Sequence, residues 1–116
     1  MNTKFKKSNI YVTAKTIDVF VDDTCVGILQ HMAVAPEQLQ WIPDDRVDCT
    51  QFPFDGEKAF LILISDLKKY KNEHGYKYLT IWSHNNGFVA QLDEDLLLKA
   101  GFRHLPKMHP ACMILY

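Results

Sequence analysis

The spacing of apolar residues changes near residue 55, and this change limits the folds open to the chain. Before that point, short runs of β-branched and aromatic residues alternate with turn residues, which is typical of strands. From Asp55 to about Glu73, apolar residues recur at helical intervals, and Tyr78–Trp82 follows at once as a strand of strong β-formers. A helix that leads directly into an apolar strand predicts a β-α-β unit.

The first half is predicted to form a meander of antiparallel strands. Thr16–Val21 and Cys25–Gln30 flank an Asp-Asp turn and are predicted to form a hairpin. Ile10–Thr13 is predicted as a short strand before this hairpin, and Gln38–Ile42 as a strand after it. The polar, lysine-rich start, Met1–Ser8, is expected to be flexible and loosely held.

Two details of these strands carry structural information. Gly27 lies inside the second run of the hairpin, which predicts a bulge or a close backbone approach. Leu39 and Trp41 are two residues apart and should share one face of their strand. After this strand, residues 46–54 are expected to be irregular, because Pro53 breaks regular structure.

The central helix has recognisable ends. Asp55 is predicted as its N-cap, and Gly75 stands where a glycine that ends a helix should stand. The apolar residues expected on its buried face are Ala59, Phe60, Ile62, Leu63, Leu67 and Tyr70. Its last turns are lysine-rich and are expected to be exposed, with Lys71 among them.

The remainder of the chain predicts a second helix and a closing hairpin. The helix is expected at Val89–Ala100, with Gly101 marking its end. Phe102–Leu105 should begin a strand, and Ala111–Tyr116 should end the chain as another. The 116 residues are therefore predicted to form one α/β domain of the α+β type.

Charge and the absence of long apolar runs exclude several function classes. The chain has 13 Lys and Arg against 14 Asp and Glu, a net charge of −1, so we expect neither nucleic acid nor a membrane surface as partner. It contains no apolar run near the ~20 residues of a membrane span. Its basic start is followed by no apolar signal-peptide region, so a cytoplasmic protein is expected.

The cysteines and histidines predict no metal site. Cys25, Cys49 and Cys112 form no C-x-x-C pair and are expected to be reduced, partly buried thiols. None of the five histidines has the spacing of a helical ligand pair, and Pro106 separates His104 from His109. The usual sequence motifs of serine hydrolases, zinc proteases and P-loop proteins are also missing.

Four stretches of the chain, taken in order, carry a resemblance to a known family. They are VFVDDTCVGIL (Val19–Leu29), HGYKYLTIWSHN (His74–Asn85), LLLKAGFRHL (Leu96–Leu105) and MILY (Met113–Tyr116). Together they resemble the GNAT superfamily of acetyl-CoA-dependent N-acetyltransferases over about Ile17 to Tyr116. The resemblance implies a GNAT-like fold: a mixed, mostly antiparallel sheet, with a central helix after a meander and a C-terminal helix plus strand hairpin.

The resemblance also implies a position for acetyl-CoA. In the family, the pyrophosphate binds a [QR]-x-x-G-x-[GA] loop at the start of the central helix, where exposed amides and the positive helix end favour an anion. The cofactor-binding residues implied here are Gln51, Phe54, Asp55, Gly56 and Asn86. Gln51 and Gly56 match the motif, whereas Phe54 replaces its middle glycine and Asp55 adds a negative charge, so both of these oppose binding.

Two further features of the family concern the arm of the cofactor and the catalytic groups. The pantetheine arm lies between the fourth and fifth strands, which correspond to Leu39–Ile42 and Tyr78–Trp82. The usual proton donor to the leaving thiolate is a tyrosine four residues before the helix-ending glycine, where this chain has Leu97. The candidates for a base are Asp44, Asp45 and His31, each equally explained as turn or strand-edge polarity, and no catalytic residue is assigned.

The missing chemistry leaves two main hypotheses. The first is a divergent acetyltransferase-fold protein, non-catalytic or weakly active, that acts as a binding or assembly subunit. The alternative is an active N-acetyltransferase that moves acetyl from acetyl-CoA to an amine of a small molecule or protein. A third is a fold of the same order unrelated to acetyl transfer.

The resemblance also bears on partners and on location. Compact relatives of this kind include bacteriophage proteins, which implies the host cytoplasm or a virion as a context. The N-terminal helices of the family are hard to find in the chain. Their loss would expose apolar sheet surface, so we expect association with a protein partner or with a second copy.

Overall fold

The sheet and helices are described by a computed structural model over residues 2–7, 16–31, 35–44, 47, 54, 56–82, 93–105 and 112–116. Within these residues the strands are β1 Thr3–Lys7, β2 Thr16–Val21, β3 Thr24–His31, β4 Gln38–Pro43, β5 Tyr78–Trp82 and β6 Cys112–Leu115. The helices are α1 Glu57–Glu73, between β4 and β5, and α2 Glu94–Lys99, between β5 and β6. The predicted α+β class is confirmed.

The six strands form one sheet whose spatial order follows the chain, from β1 to β6. Neighbouring strands from β1 to β4 are antiparallel, β4 and β5 are parallel, and β5 and β6 are antiparallel. The parallel pair is joined through α1, because parallel neighbours need a crossover connection. The predicted β-α-β unit is therefore β4–α1–β5.

The predicted hairpin is β2–β3, and it contains both features expected at Gly27. Val19 pairs with Gly27 and Phe20 pairs with Cys25, so Val26 is an extra residue that forms a bulge. Gly27 has φ +130°, and a Cβ added there would lie 2.2 Å from the carbonyl oxygen of Ile42 on β4. Only glycine lets β3 approach β4 so closely at this point.

One face of the sheet packs against α1 and forms the core. Leu39 and Trp41 lie on this face, as predicted, with 2% and 0% of their surfaces exposed. The residues of α1 that are buried are Phe60, Leu63, Ile64, Leu67 and Lys71. These positions follow the i, i+3, i+4, i+7 spacing of a helix with one buried face.

Three expectations for α1 are corrected. The N-cap is Gly56, one residue after the predicted Asp55, which lies outside the described residues. Ile62 is 42% exposed, because it lies about 200° around the helix from Phe60 and therefore points away from the sheet. Lys71, predicted to be exposed, is buried at the end of the row of core-facing residues on α1.

The predicted glycine at the end of α1 is confirmed. Gly75 has φ +77° and follows the C-cap His74. The N–H of Gly75 donates to the carbonyl of Asn72 at 3.3 Å, and the N–H of Tyr76 donates to the carbonyl of Lys71 at 3.0 Å. These two bonds form a Schellman motif, which satisfies carbonyls that a helix end leaves without partners.

The second helix begins later than the sequence predicted. Asp93 has an extended backbone, and its side chain accepts from the N–H groups of Asp95 and Leu96, so it is the N-cap. The predicted first turn, 89–92, lies outside the described residues. Gly101 ends the helix with φ +109°, as expected.

The closing hairpin is found in reduced form. β6 covers most of the predicted last strand, Ala111–Tyr116. Of the predicted preceding strand, Phe102–Leu105, a single residue pairs with β6: Arg103 bridges Ile114 through N–H···O bonds of 2.8 and 2.9 Å.

The N-terminus also differs from expectation. Thr3–Lys7 forms β1 and pairs with β2 along its whole length, rather than being loosely held. The reason is a distant contact: the ring of Phe5 lies 4.5 Å from that of Tyr70 on α1. The predicted strand Ile10–Thr13 lies outside the described residues.

Candidate functional site

The parallel pairing between β4 and β5 ends halfway along both strands. The ladder has three pairs, of which Gln40–Thr80 is the last, although β4 continues to Pro43 and β5 to Trp82. We call the region beyond this last pair, between residues 41–43 of β4 and 81–82 of β5, the ladder gap. Main-chain groups that border it have no partner in the β4–β5 ladder.

Main-chain directions show which groups border the ladder gap. The N–H of Asp44 donates to the Val26 carbonyl at 3.0 Å, and the Glu37 carbonyl accepts from the N–H of Tyr78. Because main-chain groups of successive strand residues point to opposite sides, odd-numbered residues of β4 face β5. Pro43 is one of these, and it has no N–H to donate to β5. The carbonyls of Trp41 and Pro43 therefore face the ladder gap.

The N-terminus of α1 lies at the same end of the sheet. Its N-cap, Gly56, has φ +99° and makes no side-chain capping hydrogen bond. The first N–H groups of a helix have no intrahelical acceptor and carry a partial positive charge, which favours an anion. Glu57 lies in the first turn, and its carboxylate pairs with the Lys99 ammonium of α2. This ion pair offsets the negative charge that Glu57 would otherwise add.

Phe54 is buried in the core. It is 2% exposed, and its ring meets that of Phe60 edge-on, with the centroids 5.4 Å apart. Phe54 was expected to oppose an anion because it replaces a glycine where the backbone must approach the phosphate closely, and this remains a prediction. Since the ring packs against Phe60, only its main chain remains to border the N-terminus of α1.

Trp41 also lies at this end of the sheet, although the sequence did not indicate it as a site residue. It immediately follows the last β4–β5 pair, has no exposed surface, and its ring centroid lies 6.3 Å from that of Phe60. Its indole nitrogen, Nε1, is buried and has no hydrogen-bond partner in the part of the chain that the structure describes. A buried donor without an acceptor costs about 1–3 kcal/mol, and buried tryptophan N–H groups usually have a partner. Only the tertiary packing reveals this donor.

Most residues implied for the cofactor lie where the structure gives no placement. Of the predicted set, Phe54 and Gly56 are described, whereas Gln51, Asp55 and Asn86 lie outside the described residues. Phe54 and Gly56 do come together with the ladder gap at the N-terminus of α1. Leu97, at the position of the family's proton donor, has no exposed surface and belongs to the core.

The structure separates two of the candidate bases. Asp44 directly follows β4, next to the ladder gap, and is half-buried. His31 ends β3 and pairs with Leu39 at the opposite end of the sheet, so it is not part of this site. Its Nδ1 instead shares a hydrogen bond of 3.0 Å with the Tyr76 hydroxyl. Asp45 lies outside the described residues.

The opposite end of α1 holds a cluster of titratable side chains. Tyr70 stacks on His74 with ring centroids 3.9 Å apart, and burial followed by the nearby Tyr76 raises the pKa of Tyr70. Lys71 donates to the Asn72 Oδ1 at 2.8 Å and to the Lys77 carbonyl at 3.2 Å. Burial, and secondarily the charge of Lys68, lowers the pKa of Lys71. All of these groups have partners within the chain.

The other chemistry-bearing residues that the structure describes add no second centre. Cys25 and Cys112 are free thiols, and burial raises the pKa of Cys112, whereas Cys49 lies outside the described residues. In the part of the chain that the structure describes, no three His, Cys, Asp or Glu side chains form a group that could hold a metal ion. Nor does any described helix have the length and apolar character to cross a membrane.

The candidate site is therefore the ladder gap together with the N-terminus of α1, with Trp41 and Asp44 beside it. Comparison of the chain with protein-family models, with curated proteins and with solved structures finds no match.

Proposed function

We propose that the protein is a divergent acetyltransferase-fold protein that binds a coenzyme A thioester and acts as a binding subunit with weak or absent acetyl transfer. The carrying observation is the parallel β4–β5 ladder that stops at Gln40–Thr80, next to a helix N-terminus without a side-chain cap. The carbonyls facing the ladder gap can accept from the amide N–H groups of a pantetheine arm. The helix end can bind its pyrophosphate.

The lack of a proton donor favours binding over catalysis. A leaving thiolate needs a nearby acid, and Leu97 is both apolar and enclosed by the core. Replacing it by tyrosine would force a larger side chain into a packed interior, which costs about 1–3 kcal/mol. A tyrosine at position 97 could therefore act as the proton donor only if the surrounding core rearranged.

A second candidate, an active N-acetyltransferase, is favoured by one observation. Asp44 is half-buried and directly follows the strand that borders the ladder gap. A carboxylate there could take the proton of an acceptor amine, as a general base does. Measuring thiol release from acetyl-CoA in the presence of amines, with Asp44→Asn as the comparison, distinguishes this candidate from a binding subunit.

Calorimetry with coenzyme A and acetyl-CoA tests the proposed binding. We expect a micromolar Kd and a thermal transition that rises with ligand, by about 2.7 kcal/mol of apparent stability at a hundredfold excess over Kd. Absence of heat and of a thermal shift at millimolar ligand would contradict the proposal.

A proline variant ties the binding to the ladder gap. Pro43→Ala restores an N–H on the side of β4 that faces β5, so the ladder can lengthen and the affinity for coenzyme A should fall. Pro36→Ala is the matched control, because Pro36 is exposed in the turn before β4 and far from the gap. Equal affinities for the two variants would show that coenzyme A does not bind at the ladder gap.

The assembly role is tested separately. Among the described residues, the large apolar side chains that are exposed are Ile62, on the outer side of α1, and Tyr116, at the last position. Sedimentation at high micromolar concentration should detect self-association that Ile62→Lys weakens. A wild-type protein that stays monomeric would exclude assembly with itself and leave only a different partner.

A further inference from the structure

The indole of Trp41 is the one buried side-chain donor at the candidate site that lacks an acceptor. Three buried side-chain polar atoms among the described residues have no partner: Thr3 Oγ1, Thr16 Oγ1 and Trp41 Nε1. The two threonines lie on β1 and β2, near the edge of the sheet that is remote from β5. Their hydroxyls can rotate, whereas the indole N–H has a direction fixed by its ring.

The position of Trp41 connects the two halves of the site. It is the first residue of β4 beyond the Gln40–Thr80 pair, so its main chain borders the ladder gap. Its ring packs near that of Phe60, which belongs to the first turn of α1. The residue that carries the unpartnered donor thus borders the ladder gap and packs near the first turn of α1, the two places that a coenzyme A thioester would contact.

The surroundings of the indole select the kind of acceptor. The ring of Phe60 lies next to the indole and that of Phe54 packs against Phe60, so the surroundings described on this side are apolar. Moving a phosphate into such surroundings would cost far more than moving a neutral carbonyl oxygen, because the charge would lose its hydration. The acceptor is therefore expected on the uncharged part of the ligand.

We infer that the indole N–H of Trp41 donates a hydrogen bond to a carbonyl oxygen of the acyl-pantetheine arm when the ligand binds. This inference rests on the proposed function. It makes Trp41 a residue that recognises the arm, in addition to the main-chain groups of the ladder gap. The free protein then carries an unsatisfied donor that ligand binding satisfies.

Nitrogen-15 NMR of the full chain tests the contact directly. The chain has two tryptophans, and the indole resonance that disappears in Trp41→Phe belongs to Trp41. We expect this resonance to shift on titration with coenzyme A, acetyl-CoA or pantetheine, which carry the arm. An adenosine bisphosphate, which has phosphates but no arm, should leave it in place.

The outcomes separate this inference from the function on which it rests. If the amide of Gly56 shifts with coenzyme A while the Trp41 indole does not, the ligand binds and the inference is wrong. An equal indole shift with the adenosine bisphosphate would assign the acceptor to a phosphate and also overturn it. If no resonance moves with any ligand, the proposed function fails first, and the inference with it.

Affinity provides an independent readout. Trp41→Phe keeps an aromatic ring in the core but removes the donor, so coenzyme A should bind roughly three- to tenfold more weakly. Leu39→Val is the matched control, because Leu39 is buried on the same face of β4 but lies within the paired part of the ladder. An equal loss of affinity in both variants would indicate a general packing effect and contradict a role for the indole.

Discussion

The two ends of α1 are built in opposite ways. At the C-terminal end, a Schellman motif, the buried Lys71 and the stacked rings of Tyr70 and His74 supply partners for the helix end and its neighbours. At the N-terminal end, Gly56 makes no side-chain capping bond, and the adjacent strands lose their pairing. One end of the helix is satisfied by the chain itself, whereas the other has no side-chain capping bond and lies beside the ladder gap.

The contrast suggests that stability and binding are assigned to different ends of one element. Strand pairing follows the same division, because the β4–β5 ladder forms beside the C-terminal end and stops before the N-terminal end. Paired variants at the two ends can therefore test whether the division is real.

The largest effects are expected from Phe60→Ala and Leu67→Ala. Both side chains are fully buried on α1, and their loss should cost about 3–5 and 2–5 kcal/mol of unfolding free energy, measured by urea denaturation. Phe60 contacts Trp41 and Phe54 beside the candidate site, so only its loss should also abolish coenzyme A binding. Phe60→Leu supplies a milder variant if Phe60→Ala unfolds. A comparable loss of affinity in Leu67→Ala would refute the division between the ends.

Gly56→Ala and Gly75→Ala give the sharpest comparison. Both glycines have positive φ, at +99° and +77°, and an added Cβ would meet nothing within 4 Å at either position. Each variant should therefore lose about 1–3 kcal/mol from backbone strain alone. Only Gly56→Ala should weaken coenzyme A binding, because only Gly56 lies at the helix end that is proposed to bind the pyrophosphate. Calorimetry on both variants would show whether affinity follows position or merely stability.

Lys71 predicts a pH dependence specific to the C-terminal end. Its folded pKa lies below the ordinary value of 10.5, so between these two values the unfolded chain binds more protons. The free energy of unfolding should therefore rise with pH through the alkaline range, up to about pH 10.5. The raised pKa of Tyr70 opposes this only above about pH 10.

Denaturation of Lys71→Met between about pH 8 and pH 10 tests this assignment, since the alkaline gain in stability should vanish. Lys69→Met, which removes an exposed lysine from the same helix, should retain the gain. Affinity for coenzyme A should be the same in both variants at a given pH. A gain that persists in Lys71→Met would assign it to another group.

The smallest expected effect concerns the Glu57–Lys99 ion pair. Both side chains are largely exposed, so Lys99→Ala should change the unfolding free energy by less than about 1 kcal/mol. It should nevertheless weaken coenzyme A binding severalfold at low salt, because Glu57 then leaves a negative charge at the helix end. Glu57→Gln in the same background should restore the affinity. If Lys99→Ala leaves the affinity for coenzyme A unchanged, the pyrophosphate does not bind at this end of α1.

Local patterns predicted much of the architecture. The β2–β3 hairpin, β5 and the end of α1 follow from turn residues, period and a C-terminal glycine, all of which act within a few residues. Features set by distant contacts were missed. β1 is held through Phe5 and Tyr70, and Lys71 is buried because its helical position extends the core stripe.

The candidate site was less accessible to sequence reasoning. The sequence grouped His31 with Asp44, but the antiparallel direction of β3 and β4 places them at opposite ends of the sheet. The end of the β4–β5 ladder at Gln40–Thr80 depends on how the two strands pair. The unpartnered indole of Trp41 depends on what surrounds it. Neither property exists until the strands are paired and packed.

The order of the sheet has a consequence for how the chain folds. Because every strand lies beside its neighbour in sequence, the β2–β3 and β3–β4 pairings close only short loops. The parallel β4–β5 contact, such as Gln38 with Tyr78, must instead close a loop of about 40 residues, whose entropy is lost before any contact repays it. During synthesis, the antiparallel strands β1 to β4 can pair first. The site would then appear last, when α1 and β5 dock and bring its two halves together.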